Sequence, residues 1–192
     1  MPTVGYLSTD KNEHHLKVIA EYLTEHKETL AVAESVTSGY LQAAFSSAPQ
    51  ASHFFQGGIT AYNLNQKVRH LGIDSLQAVA NNCVSEEIAK EMAKGVVGLF
   101  SSNWGIAVTG YATSLPEDGI TTLFAFYSIV YRGRAVANNI LVCGHGKTGK
   151  EAQHYYTEHI IANFARLIQT FSVPPAAFNK RTPDNSSEYY LN

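Results

Sequence analysis

The sequence is poor in charged residues and has no block of one sign. Only 16% of its 192 residues are charged, and 14 Lys and Arg against 16 Asp and Glu give a formal net charge of −2. Phosphate contacts require clustered Lys and Arg, so a nucleic-acid partner is not expected. Hydrophobic residues make up 45%, a composition typical of ordered globular chains rather than disordered ones.

Cysteine, long apolar runs and metal-ligand patterns are also scarce. The two cysteines, Cys83 and Cys143, form no spacing motif and suit a reducing compartment. The longest mostly apolar run, LFAFYSIVY, has about half the length that a membrane helix needs. The stretch MPTVGYLSTDKNEHH lacks the apolar core of a signal peptide. The histidines form no ligand set, since His154 and His159 do not share a helix face. We therefore expect a cytoplasmic protein with no membrane partner and no metal.

Helical and strand patterns alternate early in the chain, and a hairpin follows late. The expected elements are a helix around 16–23, a strand over 29–33, a helix over 37–47, a strand over 57–62, a short helix over 65–72, a helix capped by Ser85, a strand over 104–110, a hairpin over 121–143 and a helix around 161–168. This order predicts a three-layer α/β/α sandwich with a mixed sheet. One domain is expected over 1–173. The tail over 174–192 is rich in Pro, Asn and Ser, and its Tyr189, Tyr190 and Leu191 could dock on this chain or on a neighbour.

The stretch AESVTSG concentrates small polar residues where a strand gives way to a helix. α/β proteins place ligands at that position. Free N–H groups around Thr37 to Gly39 would favour an anion or a developing oxyanion. Ser35 is a candidate nucleophile there. The alternative is that Ser35 or Thr37 only caps the helix.

Two further stretches follow predicted strands. Tyr62 would end a strand, and Lys67 would lie about one helical turn into the next helix, where burial could lower the lysine pKa enough for it to act as a base. The alternative is a solvated lysine. Thr109 and Gly110 end another strand, either as part of a site or as an ordinary loop with a permissive glycine.

The stretch CGHGKTGKE resembles a phosphate-binding loop but lacks its first glycine, because Leu141 stands at that position. A Gly-rich turn with Lys147 and Lys150 before a helix could still contact a phosphate.

Taken together, three motifs resemble one family in order and spacing: Glu-Ser-x-Thr-x-Gly from Glu34, Tyr-x-x-x-x-Lys from Tyr62 and Thr-Gly at 109–110. The family is the CinA C-terminal domain, the nicotinamide-mononucleotide amidases. The resemblance covers roughly 16–110, weakens through the hairpin and the last helix, and has no counterpart for the tail. It identifies the chain as a divergent, stand-alone member.

The resemblance implies an α/β/α domain that hydrolyses the carboxamide of nicotinamide mononucleotide in pyridine-nucleotide salvage, with no cofactor. It implies Ser35 as nucleophile and Lys67 as general base, with Tyr62 and Thr109 positioning the reacting groups. The residues expected to bind substrate are Glu34, Thr37, Ser38, Gly39, Gly110, Lys147 and Lys150. A homo-oligomer is also expected.

The chain departs from the family pattern in its binding shell. Val36 stands where the family has cysteine, and Ser38 where it has glycine. The loop over 111–119 carries Glu117 and Asp118, which would repel a phosphate if they faced the pocket. A family arginine near the last helix is missing, and Lys147 or Lys150 could replace it, although lysine lacks the bidentate fork. A catalytically weak domain that binds a nucleotide or a protein partner therefore stays open as the alternative function.

Overall fold

Seven α-helices and five strands make up the part of the chain that the structure, a computed structural model, describes: residues 10–80, 82–144 and 146–171. In chain order they are α1 (Asp10–Glu25), β1 (Leu30–Glu34), α2 (Tyr40–Ser46), α3 (Ala51–Phe54), β2 (Phe55–Thr60), α4 (Leu64–Leu71), α5 (Ser75–Ala80), α6 (Glu86–Phe100), β3 (Trp104–Gly110), β4 (Leu123–Tyr131), β5 (Arg134–Cys143) and α7 (Gly149–Phe171), with a 3-10 turn at Pro116–Asp118. The tail over 174–192, with Tyr189, Tyr190 and Leu191, lies outside the described residues.

The five strands form one mixed sheet in the order β2-β1-β3-β4-β5. β1 pairs in parallel with both β2 and β3, whereas β4 runs antiparallel to β3 and to β5. The antiparallel pair β4–β5 is the hairpin expected from the sequence. The α/β class with a mixed sheet is thus confirmed.

Alternate residues of β1 serve two separate hydrophobic cores. Leu30 and Val32 pack with side chains of α1, α2 and α7, while Ala31 and Ala33 pack with side chains of α4 and α6. This division follows from the strand geometry, in which successive side chains point to opposite faces of a sheet. Helices therefore cover both faces, as the predicted three-layer arrangement requires.

The helix expected over 37–47 begins later in the structure, at Tyr40. Residues 36–39 form a turn in which Ser38 (φ 50°) and Gly39 (φ 106°) adopt left-handed backbone conformations. A left-handed residue cannot continue a right-handed helix, so the helix starts only after Gly39.

The parallel strands place three predicted site segments at one edge of the sheet. β1, β2 and β3 all end there, and the residues that follow them are Ser35, the segment 61–63 and Tyr111. The carboxyl edge of parallel strands is where α/β proteins build their sites. No helix within the described part of the chain is long and apolar enough to cross a membrane.

Candidate active site

Ser35 and Lys67 are in direct contact although they lie 32 residues apart. Lys67 Nζ donates to Ser35 Oγ at 2.9 Å and to the backbone carbonyl of Tyr62 at 3.2 Å. Ser35 directly follows β1, and Lys67 lies in the first turn of α4, whose start is capped by Asn63 accepting from the N–H of Gln66. The strand end and the helix start therefore bring a hydroxyl and an amine together.

Lys67 is buried, with only 2% of its surface exposed. Among the described residues no carboxylate lies within 4.0 Å of its Nζ. Burial disfavours the charged form and lowers the pKa of Lys67 below its ordinary value, with Cys83 exerting a weaker opposite influence. The neutral amine can accept the Ser35 proton across the same 2.9 Å, so the pair has the arrangement of a nucleophile and its base.

Glu34 has a different position from the one expected of a substrate-binding residue. Its side chain is fully buried and its carboxylate accepts from Thr37 Oγ1 at 2.6 Å, from the N–H groups of Gly39 and Leu41 at 3.0 Å, and from the N–H of Gln42 at 2.8 Å. It thereby satisfies the free N–H groups at the start of α2. The predicted anion cradle at Thr37 to Gly39 is corrected accordingly, because Glu34 itself occupies that end of the helix.

One N–H group of the turn after Ser35 remains available to the cavity. Within the described residues, the N–H groups of Val36 and Thr37 donate no hydrogen bond, but Thr37 is fully buried and lies outside the cavity wall, whereas Val36 lines it. Ser38 stands outside the cavity wall, and its hydroxyl donates to the Ser35 carbonyl at 3.3 Å. The candidate oxyanion donor is therefore the N–H of Val36, next to Ser35, rather than the segment over 37–39.

The remaining predicted site residues differ in what they contribute. Tyr62 exposes 71% of its surface, and only its carbonyl contacts Lys67. The buried Thr109 donates through Oγ1 to the carbonyl of Cys83 at 2.8 Å. This hydrogen bond holds the α5–α6 connection against the end of β3. It also engages the hydroxyl proton of Thr109, which is then not free to be donated to a ligand. Gly110 allows close backbone approach, because a Cβ there would lie 2.3 Å from the Phe124 carbonyl.

A cavity of about 640 Å³ opens over the Ser35–Lys67 pair. Its wall includes Tyr62, Thr109, Gly110 and Lys150, all predicted from the sequence. A volume of this size suits a small organic ligand.

Lys147 does not line this cavity but a second one of about 350 Å³ beside it, and the two share the wall residues Ala112, Thr113 and Gly149. The acidic residues Glu117 and Asp118 are exposed and line neither cavity. The sequence predicts that these two acids repel a phosphate only if they face the pocket. Because they do not line it, we expect no such repulsion.

Two parts of the wall have no counterpart among the sequence motifs. Gln153, on α7, donates from Nε2 to the Val36 carbonyl at 2.8 Å, and Asn82 donates from Nδ2 to the Tyr111 hydroxyl at 3.1 Å. Asn82 and its neighbour at position 83 both have left-handed backbone conformations. These contacts join segments far apart in the chain. Only a periodicity that placed Gln153 on the polar side of α7 would have drawn attention to it.

By sequence, the chain is similar to proteins of one family. The family model of the CinA C-terminal domain matches residues 12–121. A CinA-like protein of Prochlorococcus marinus is 41% identical over 103 residues, 53% of this chain and 24% of that protein. A CinA-like protein of Thermosynechococcus vestitus is 36% identical over 125 residues, 65% of this chain and 29% of its own length. This chain thus spans less than a third of the length of these relatives.

Solved structures agree in fold over most of the chain. The competence damage-inducible protein A of Klebsiella pneumoniae superposes with a TM-score of 0.74 at 22% identity, covering 82% of this chain and 97% of that one. A competence/damage-inducible protein of Agrobacterium tumefaciens gives a TM-score of 0.69 at 21% identity, with 86% and 100% covered. At such identities the likeness concerns the fold alone, and it extends beyond the 12–121 region.

Proposed function

Because the chain belongs to the family of the CinA C-terminal domain, we propose that it is an amidohydrolase that converts nicotinamide mononucleotide to nicotinate mononucleotide and ammonia. The observation that carries this proposal is the 2.9 Å contact between Lys67 Nζ and Ser35 Oγ beneath an open cavity. A serine hydroxyl is a weak nucleophile until a base removes its proton, and a buried lysine with a lowered pKa supplies that base.

The first half of the reaction forms an ester on Ser35. Neutral Lys67 takes the proton of Ser35 Oγ as this oxygen attacks the carboxamide carbon. The carbonyl oxygen becomes an oxyanion that accepts from the N–H of Val36, a type of contact worth roughly 3–4 kcal/mol of barrier. When the intermediate collapses, the C–N bond breaks and the amide nitrogen leaves as ammonia, carrying the proton that Lys67 returns.

The second half releases the acid. Lys67, neutral again, takes a proton from water as the water oxygen attacks the ester carbon. The new intermediate expels the Ser35 oxygen, which recovers the proton from Lys67. The backbone carbonyl of Tyr62 holds the Lys67 amine in place through both halves of the reaction, since it accepts from Nζ at 3.2 Å.

The remote part of the substrate is proposed to extend toward α7. Lys150 lies on the wall of the same cavity, where its positive charge would favour the phosphate of a mononucleotide. Lys147, on the adjoining cavity, would add to that field. We expect no nucleic-acid or membrane partner and propose that the chain self-associates, which sedimentation velocity on the full chain tests directly.

Ammonia release from nicotinamide mononucleotide by the full chain tests the proposed function. We expect release by the wild type and its near loss in both Ser35→Ala and Lys67→Ala, with circular dichroism unchanged. Ser46→Ala and Lys94→Ala, at exposed positions on α2 and α6, serve as matched controls and should retain activity. Full activity in Ser35→Ala would remove Ser35 from the mechanism.

The second candidate function is a weakly catalytic domain that binds a nucleotide. It would follow from binding of nicotinamide mononucleotide in calorimetry without ammonia release. Repulsion of the substrate phosphate by Glu117 and Asp118 was the electrostatic argument for this second function. That argument is weakened because both residues are exposed and lie outside the cavity wall.

A further inference from the structure

One face of the β4–β5 hairpin carries a block of four large apolar side chains. Phe124 stands directly opposite Val142 across the hairpin, and Phe126 stands directly opposite Ile140. Residues paired in this way point to the same face of a sheet, so the four side chains are neighbours. Ile140 exposes 44% of its surface and Val142 exposes 54%, while both phenylalanines are half-buried. Neither hydrophobic core of the described chain includes any of the four.

The block lies on the face of the sheet that α6 covers in part. Phe126 pairs across the sheet with Thr109, whose hydroxyl contacts the Cys83 carbonyl in the α5–α6 connection. Side chains of α6 pack with Val130 and Ala135, next to the turn of the hairpin, whereas the block lies toward the other end of the two strands. A layered α/β domain buries both faces of its sheet, so this part of the face is suited to packing against another surface.

Tyr111 extends the block to the wall of the cavity. Its ring packs edge-on against Phe124 with 5.4 Å between centroids, and Phe124 packs in the same manner against Phe126 at 5.8 Å. Tyr111 also lines the candidate active-site cavity. We refer to these residues together as the hairpin patch: Tyr111, Phe124, Phe126, Ile140 and Val142. The hairpin patch therefore runs from the cavity to the edge strand β5.

The hairpin patch contains no charged residue, and Asn138, the next exposed residue of β5 on the same face, is uncharged as well. A contiguous exposed apolar surface marks a site of interaction. Its partner must also be apolar and uncharged, because a charge buried against it would lose its hydration without compensation. With no Lys or Arg in the patch, anionic surfaces such as nucleic acid find nothing to pair with.

A second copy of this chain offers a surface of this kind. In a two-fold dimer the same patch is used by both copies, and a patch without charge can meet itself with no like charges opposed. The ends of the described chain also favour a second copy over a segment of the same copy. The chain begins in α1 and ends in α7, and both helices pack on the opposite face of the sheet, with Leu30 and Val32.

We propose that the hairpin patch is the surface through which two copies of this chain associate, sheet against sheet. Facing sheets pack about 10 Å apart with their side chains interdigitated, which buries the apolar block of each copy against that of the other. The inference goes beyond the proposed function, because it assigns the expected self-association to one surface and requires no reaction. Since Tyr111 belongs both to the patch and to the cavity wall, each copy borders the cavity of its partner.

Sedimentation velocity on the full chain tests this surface. At about 50 μM we expect the wild type to sediment as a dimer. Val142→Lys places a lysine of each copy in the contact, and we expect it to raise the dimer dissociation constant on the order of a hundredfold. Leu99→Lys is the matched control and should dimerise like the wild type. Leu99 is an exposed residue of α6, and its neighbour Phe100 packs on Gly57 of β2, at the opposite edge of the sheet.

Cross-linking of Val142→Cys tests the same contact with a variant that preserves the size and apolar character of the side chain. We expect a short bismaleimide to join two copies of Val142→Cys but not of the wild type or of Leu99→Cys, which control for Cys83 and Cys143. A monomeric wild type at about 50 μM would overturn the proposal, and so would a Val142→Lys dimer as tight as that of the wild type. Neither measurement involves a substrate, so both hold even if the wild type releases no ammonia.

Discussion

Lys67 owes its reduced proton affinity to burial rather than to a neighbouring charge. Desolvation lowers its pKa below 10.5, and the proposed mechanism requires the neutral amine. We therefore expect kcat/KM to rise with pH and to level off below pH 10.5. Lys67→Met, which removes the base but keeps the apolar stem, should lower kcat by about 10²–10⁴ and abolish this rise.

A pH–rate profile of the two proteins checks this expectation. Lys94→Ala is the control and should give the wild-type profile. A wild-type profile that still rises above pH 10.5 would contradict the lowered pKa of Lys67, since an ordinary lysine titrates near that pH, and a profile with no rise would contradict its role as base.

At the residue scale the sequence predicts that Ser35 and Lys67 belong to one site, but not what surrounds them. Ser35 and Lys67 stand in motifs whose spacing places them at adjacent ends of a strand and a helix. Glu34 lies in the same motif, yet its role could not be read from it, because strand alternation turns it away from Ser35. Gln153 lies 117 residues from its partner Val36, a separation that no local pattern bridges.

Glu34 links β1 to α2 and decides where that helix begins. Its carboxylate serves one hydroxyl and three N–H groups in a buried position. Glu34→Ala would leave those donors unsatisfied, so we expect the free energy of unfolding to fall by about 3 kcal/mol. Urea denaturation measures the loss.

Glu25→Ala, at an exposed position at the end of α1, is the control for Glu34→Ala and should stay within about 0.5 kcal/mol of the wild type. An equally stable Glu34→Ala protein would show that water replaces the carboxylate.

Elements were predictable where a cap and an apolar stripe coincided. α6 begins at Glu86 because the Ser85 hydroxyl accepts from the Ile88 N–H, as the sequence indicated. α5 was not predicted, since its six residues leave Leu76 and Val79 exposed and form no stripe. The sequence pattern places the start of α2 too early, because a left-handed backbone at Ser38 has no sequence signature when the residue is not glycine.

Across the whole molecule, a buried acid stabilises the edge of the sheet opposite the cavity. Glu28 accepts from Trp104 Nε1 at 2.6 Å, from the Tyr131 hydroxyl, and from Arg132 at 3.3 Å. Burial and the hydrogen bond to Glu28 raise the pKa of Tyr131 to about 12, so its hydroxyl remains a donor well above neutral pH.

This cluster lies at the ends of β1 and β3 that are opposite the cavity. A substitution in it should therefore change stability without changing activity. We expect Glu28→Ala to lower the free energy of unfolding by about 2–4 kcal/mol while kcat and KM at room temperature remain those of the wild type. Urea denaturation and steady-state kinetics on the same preparation check both. A changed KM would mean that the two edges of the sheet are coupled.

The Glu-Ser pair at the end of β1 has a consequence for how the family can vary. The side chain of Glu34 points toward α2 and that of Ser35 toward α4, so two consecutive residues lie on opposite faces of the sheet. Insertion or loss of a single residue within β1 would exchange them, placing a carboxylate beside Lys67 and a hydroxyl under α2. Length changes are therefore excluded from this strand, whereas loops such as 111–119 remain open to them.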